Sequence, residues 1–192
     1  MALGVVMVAT LVGLLVSDGE AGSSAWQFGM LLAAAAIAAL VHGRVSESIP
    51  LRTHFRWCIA AIPAAAVTFA IAIGYVALLP SLPGPDDTAP AATPLLALVV
   101  FAPIGEELLC RGVAYRAGLS LASPRAAILL AAIVFAFLHG LGGGWVLELP
   151  HRFAAGVVFG WLRWRSGSLL PAMLAHALHN GVAWWWDGAG GS

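Results

Sequence analysis

The chain has 192 residues, of which 61% are hydrophobic and only 9% charged, outside the composition of an ordinary soluble domain and inside that of a bilayer protein. Its nine basic side chains, all arginine, cancel nine acidic ones, so no blanket positive charge exists to hold nucleic acid. Cys58 and Cys110 lie in apolar stretches without metal-ligand spacing; this argues against a disulfide framework and gives no support to a redox role, and both read as small core residues.

A spanning helix needs about 20 apolar residues with few charges. Taken in chain order, seven runs come near this: Met1 to Val16, Trp26 to Val41, Trp57 to Leu79, Pro94 to Leu119, Pro124 to His139, Pro150 to Trp164 and Leu169 to Trp186. The expected fold is all-α, a polytopic transmembrane bundle of about seven spans, with residues 1–192 forming one membrane domain. The first run is short and lacks a basic start, which favours a short or re-entrant helix over a cleaved signal peptide. The arginines set the orientation. Arg44, Arg52, Arg56, Arg116, Arg125, Arg163 and Arg165 fall in loops on one side, whereas Asp18, Glu20, Asp86, Asp87, Glu148 and Asp187 fall on the other. The basic side is cytoplasmic by the positive-inside rule, which puts the N-terminus inside and the C-terminus outside a cell membrane. Arg152 is the one basic residue against that rule. Trp161, Trp164 and the Trp184 to Trp186 run suit aromatic belts, and the Gly142 to Gly144 run reads as a mobile connection.

Ionisable groups inside a bilayer cost several kcal/mol unless paired or solvated, so each one within a span is a functional candidate. The fourth run holds Glu106, Glu107 and Arg111, the fifth ends on Phe135 and His139, and the seventh holds His176, His179 and Asn180. Glu107 and Arg111 are four apart and share a helix face, while Glu106 is turned about 100° away. One carboxylate is thus neutralised and the other left for acid–base work. His176 and Asn180 are also four apart and present an imidazole and an amide together. At a rise of about 1.5 Å per residue, Glu106 and His139 lie roughly 20 and 22 Å from the cytoplasmic ends of their helices, and His176 and Asn180 roughly 10 and 16 Å. Tilt brings all four to one layer. His179 reads as a packed neighbour, and His42, His54 and His151 as interfacial rings. Pro103, just before the glutamates, removes a backbone donor and kinks or wets its helix.

A carboxylate facing a histidine can hold and deprotonate water, and a second histidine with an asparagine can stabilise an oxyanion, which together amount to peptide or amide hydrolysis. Other intramembrane designs are missing: there is no His-Glu-x-x-His, no aspartate inside a span and no Gly-x-Ser-Gly. Bland readings stand beside this one. The Glu-Glu-Arg group can be a structural ion cluster, His139 a helix end, and His176 with Asn180 an interhelical hydrogen-bonding pair. A non-hydrolytic immunity or sorting protein that binds a peptide in the same pocket, or a proton-coupled carrier, would draw on the same residues.

Three patterns occur in order, one per helix: Glu-Glu-x-x-x-Arg at Glu106, Glu107 and Arg111; Phe-x-x-x-His at Phe135 and His139; and His-x-x-x-Asn at His176 and Asn180. In these, residues of about 94–186 resemble the CAAX protease and bacteriocin-processing family of intramembrane endopeptidases, represented by the CAAX prenyl endopeptidase. The stretch from Gly156 to Leu170 is also similar to the family's approach to its last motif. The resemblance implies that Glu106 and His139 activate water, that His176 and Asn180 form the oxyanion site, and that Glu107, Arg111 and Phe135 support them. It implies a membrane-embedded or lipidated peptide or protein as substrate and the lipid bilayer as surroundings. Glu106, His139 and His176 have the donor types to ligate zinc. A reading without metal or other cofactor is preferred, because the two-histidine helical signature is missing and a Glu-His water site suffices.

Overall fold

Five apolar stretches fold as helices in the computed structural model, which describes residues 50–79, 95–141 and 146–188. They are α1, Phe55–Ala77; α2, a composite helix over 97–121; α3, Pro124–Leu141; α4, Leu149–Ser166, preceded by a 3-10 turn at Val146–Glu148; and α5, Leu170–Gly188. No strand occurs among the described residues. These helices coincide with the last five runs expected from hydropathy. The first two runs, the acidic loop around Asp86 and the Gly142 to Gly144 connection lie outside the described residues. By length and composition, α1 alone among the described residues is long and apolar enough to cross a membrane, with a mean hydropathy of 2.1; the stretch Pro124–His139 is apolar but shorter. The others differ for separate reasons: α2 is divided into short segments, and α4 carries Arg152, Arg163 and Arg165.

Local chemistry fixes the helix ends. Ser123 starts α3: its side-chain oxygen accepts the Ala126 N–H at 3.3 Å, and Pro124 follows, where the missing N–H costs nothing. Gly167 ends α4 with φ of 67°, a left-handed conformation that glycine adopts without a Cβ clash, and its N–H donates back to the Arg163 carbonyl at 3.1 Å. The turn into α5 is held by Ser166 and Ser168, the Ser168 hydroxyl oxygen accepting from the Leu170 N–H at 3.2 Å. The chain entering α1 docks on this turn, since the Leu169 N–H donates to the Pro50 carbonyl at 2.8 Å.

Small residues decide how closely the helices approach. A Cβ on Gly156 would lie 2.9 Å from the Cα of Ala132, and one on Gly160 would lie 3.0 Å from Ile128. These two glycines, four apart on α4, form the small-xxx-small stripe that lets two backbones meet. Gly118 does the same between α2 and α3, where an added Cβ would lie 2.6 Å from the Cα of Ala127. One core joins all five helices through Ala61, Leu109, Cys110, Phe135, Phe159, Leu162 and Ala172.

The pattern of exposure is reversed relative to a water-soluble bundle. Leu129, Ile133 and Phe137 form an exposed stripe on α3, and Leu174, Leu178, Val182 and Trp185 form one on α5. Glu107, Arg111, Thr68, His176 and His179 are buried instead. Burying charges while exposing leucines is unfavourable in water and is the arrangement expected where lipid surrounds the helices.

Candidate active site

The site begins with an irregularity in α2. Two of its four segments, Ala97–Phe101 and Leu108–Ala114, are π-helical, with α-helix at Ala102–Glu107 between them and at Tyr115–Leu121 after them. Such wide turns recur at functional sites. The first has a cause in the sequence. In i→i+5 register the partner of the Leu98 carbonyl is residue 103, a proline without an N–H. The carbonyl left over is taken by Asn180 of α5, whose Nδ2 donates to it at 3.0 Å. The kink-or-wet expectation for Pro103 thus becomes a link between helices.

Just beyond this point α2 presents its two glutamates in different directions. Glu107 pairs with Arg111 at 2.8 Å, both side chains fully buried. The guanidinium is held further by α4 and α3: its Nη2 donates to the Gly156 carbonyl at 2.9 Å, and its Cζ lies 4.7 Å from the Phe135 ring and 5.4 Å from that of Phe159. This multiple hold is what a buried ion pair needs to offset its desolvation. Glu107 Oε1 is shared, because His176 Nδ1 lies 3.1 Å from it.

Glu106 has no such counter-ion. Its Oε2 is buried without a hydrogen-bond partner. Two imidazole nitrogens face it, His139 Nε2 and His176 Nε2, each at 3.7 Å. That separation is too long for a direct hydrogen bond, and a water seated beside the groups can join them. The partners of the other ring nitrogens fix the tautomers. His139 Nδ1 lies 2.9 Å from the Phe135 carbonyl, an acceptor only, so this nitrogen donates and Nε2 turns a lone pair toward Glu106. His176 Nδ1 donates to the Glu107 carboxylate by the same logic.

Three helices therefore bring Glu106, His139 and His176 together, with Glu107 and Arg111 behind His176. Asn180 lies one turn along α5 from His176, with one amide N–H engaged on the Leu98 carbonyl. Phe135 packs against both histidines, with ring centroids 4.6 Å from His139 and 5.4 Å from His176. His179 is packed as expected: Thr68 donates its hydroxyl proton to the Ala65 carbonyl at 3.0 Å and accepts from His179 Nδ1 at 3.0 Å. His151, read from the sequence as an interfacial ring, is buried, its ring centroid 5.5 Å from that of Tyr75. Sequence reasoning missed two contributors on α4, the Gly156 carbonyl under Arg111 and the Phe159 ring, which stacks on His176 at 5.1 Å with 21° between planes. Their only signal is the spacing of Gly156, Phe159 and Gly160 along one helix face, which also suits plain packing.

As to zinc, no group of three or more His, Cys, Asp or Glu side chains among the described residues is arranged to hold a metal ion. His139 and His176 each face Glu106 at 3.7 Å, and His176 Nδ1 is already engaged by Glu107.

Residues 88–182 match the family model described as Type II CAAX prenyl endopeptidase Rce1-like. The matched region contains every candidate site residue from Glu106 to Asn180. No curated protein and no solved structure matches the chain. The proteins of this family are membrane-embedded peptidases. Over residues 88–182 the chain belongs to the Rce1-like CAAX protease family, whose substrates are proteins or peptides.

Proposed function

We propose that the chain is an intramembrane endopeptidase that cleaves peptide bonds of membrane-associated proteins or peptides with water activated by Glu106 and His139. The observation that carries this reading is the convergence of His139 Nε2 and His176 Nε2 on one unpartnered oxygen of Glu106, each at 3.7 Å. Burial of these groups beneath apolar outer faces supports catalysis within the bilayer across several spans, with the arginine-rich ends on the cytoplasmic side.

A water between Glu106 Oε2 and His139 Nε2 is oriented by two acceptors, so that a lone pair of its oxygen is left to attack a carbonyl carbon. As the C–O bond forms, the water proton passes to Glu106 and the carbonyl oxygen becomes an oxyanion. His176 Nε2 and the second amide N–H of Asn180 are the donors on hand to receive that charge. Because His176 Nδ1 already donates to Glu107, Nε2 donates only when the ring is imidazolium. Arg111 and Glu107 hold that ring in place. Collapse of the intermediate breaks the C–N bond, and the proton on Glu106 goes to the leaving amine.

The test is cleavage of membrane-anchored peptides by purified protein in detergent, comparing native chain with Glu106→Gln and His139→Gln, with and without a chelator. Both variants are expected to lose about 10²- to 10⁴-fold in kcat. Turnover that survives both substitutions refutes the assignment. Absence of turnover from folded native protein, together with tight peptide binding, would replace it with the immunity or sorting role.

A further inference from the structure

Two arginines are buried among the described residues, and only one of them is compensated. Arg111 has a carboxylate, a carbonyl and two aromatic rings around its guanidinium. Arg163, in the last turn of α4, is only 8% exposed, yet among the described residues no carboxylate pairs with it and no carbonyl accepts from it. Its Nε is closed off from the surface without a hydrogen-bond partner. Nη1 and Nη2 are not closed off in this way and have no partner among the described residues either. The one group packed on the guanidinium is the Tyr115 ring of α2, whose centroid lies 5.2 Å from Cζ. A cation–π contact offsets only part of the cost of taking a charge out of water. Arg116, next to Tyr115 on α2, brings a like charge close enough to act on Arg163, and no carboxylate among the described residues does so.

The surroundings indicate what completes this charge. Tyr115 packs with Ala127, Ile128 and Ala131 of α3, and α4 meets the same stretch where Gly160 lies against Ile128, so α2, α3 and α4 reach this end of the bundle together. It is the arginine-rich end, with Arg125 and Arg165 exposed beside Arg163. Trp161 and Trp164 are also exposed here; Trp161 meets Trp57 edge-on at 6.1 Å, and Arg165 Cζ lies 5.8 Å from the Trp164 ring. Tryptophan and arginine at one level mark the headgroup layer of a bilayer. Phosphate is the anion concentrated in that layer, and a guanidinium matches it with two parallel hydrogen bonds.

We propose that Arg163 is a phosphate-binding residue, its Nη1 and Nη2 donating to two oxygens of one phosphate group at the arginine-rich ends of α2 and α4. The phosphate belongs to a phospholipid headgroup or is the free anion, which present the same oxygens to the guanidinium. Once bound, it supplies the counter-charge that the helices themselves do not, and it ties α4 to α2 one turn beyond the last close contact of α4 with its neighbours at Gly160. None of this depends on the peptidase reading, and the test reads folding and not cleavage.

The experiment is thermal unfolding of the full chain, stripped of lipid in a maltoside detergent, before and after addition of phosphatidylglycerol, a phosphate-free diacylglycerol or inorganic phosphate. Without phosphate, Arg163→Met is expected to unfold within about 4 °C of native protein or above it, because an uncompensated buried charge is exchanged for an apolar chain of similar length. At about a hundred times its Kd, the phosphate source is expected to raise the Tm of native protein and of Arg165→Gln by about 5–10 °C, that of Arg163→Lys by less, and that of Arg163→Met not at all. Arg165→Gln removes the same charge from the same end of the bundle, so it separates a bound phosphate from a general attraction to anions. A rise with phosphatidylglycerol alone assigns the phosphate to a lipid headgroup, and a rise with inorganic phosphate as well shows that the free anion suffices. A native Tm that neither phosphate source moves, a rise that Arg163→Met shares, or an equal rise with diacylglycerol overturns the proposal. So does a larger fall of Arg163→Met in the lipid-free state, which would show that the charge is already compensated within the fold.

Discussion

Replacing Arg111 with Leu tests the physical basis of the site most directly. Arg111 and Glu107 are both fully buried and 2.8 Å apart, so the substitution leaves a carboxylate in the interior with only His176 beside it. Breaking one side of a buried pair costs about 3–5 kcal/mol, because the surviving charge keeps its desolvation penalty and loses its compensation. The contacts of the guanidinium with Phe135 and Phe159 add about 0.5–2 kcal/mol. Against a typical total of roughly 5–15 kcal/mol, this is a large share of the stability. The double variant Arg111→Leu with Glu107→Gln removes both charges yet keeps an oxygen for the His176 Nδ1 proton. It is expected to recover the larger part of the loss, short of the ring contacts. Unfolding in detergent of native, both single variants and the double variant forms a thermodynamic cycle. A single variant within about 1 kcal/mol of native, or a double variant no more stable than Arg111→Leu, would refute the view that this pair is a compensated buried charge.

Other consequences follow from the packing. Gly156→Ala and Gly118→Ala place a Cβ 2.9 and 2.6 Å from the backbone of Ala132 and Ala127, and each is expected to cost about 1–3 kcal/mol in thermal unfolding. Gly74→Ala, with nothing within 4 Å of the new Cβ, should instead stabilise α1 by about 0.5–1 kcal/mol in the same assay. Thr68→Val removes the acceptor of His179 Nδ1 and is expected to destabilise by about 1–3 kcal/mol while kcat is retained. Asn180→Ala should destabilise less in a Pro103→Ala background than alone, because residue 103 then brings an N–H for the Leu98 carbonyl; additive losses would show that the carbonyl does not depend on Asn180.

Much of the site could be read from the chain because its information lies within single helices. The spacing of Glu107 and Arg111 suffices to pair them, and that of Phe135 and His139 to place the His139 ring over the preceding turn, where Nδ1 meets the Phe135 carbonyl. Charges in an apolar chain are conspicuous, so Glu106, His139 and His176 stand out without any alignment. Asn180 shows the limit. Its spacing from His176 puts the two side chains on one helix face, but gives no hint that one amide N–H goes to the carbonyl that Pro103 leaves unpaired on another helix. Phe159 gives no signal, since one phenylalanine in an apolar helix resembles any other until a histidine is seen stacked on it.

The sequence by itself determined the helices, their apolar and polar faces, the charged groups that lipid would not tolerate unpaired, and the order of three motifs along the chain. All of these follow from the helical period and from the cost of burying charge. Tertiary structure alone decided which faces meet: that His176 lies between two glutamates, that Asn180 reaches Leu98, and that α4 supplies a carbonyl and a ring to the site. The physical reason is that the rotation and register of one helix against another are set by close approach at small residues such as Gly156 and Ala132, a matter of shape that neither hydropathy nor spacing records.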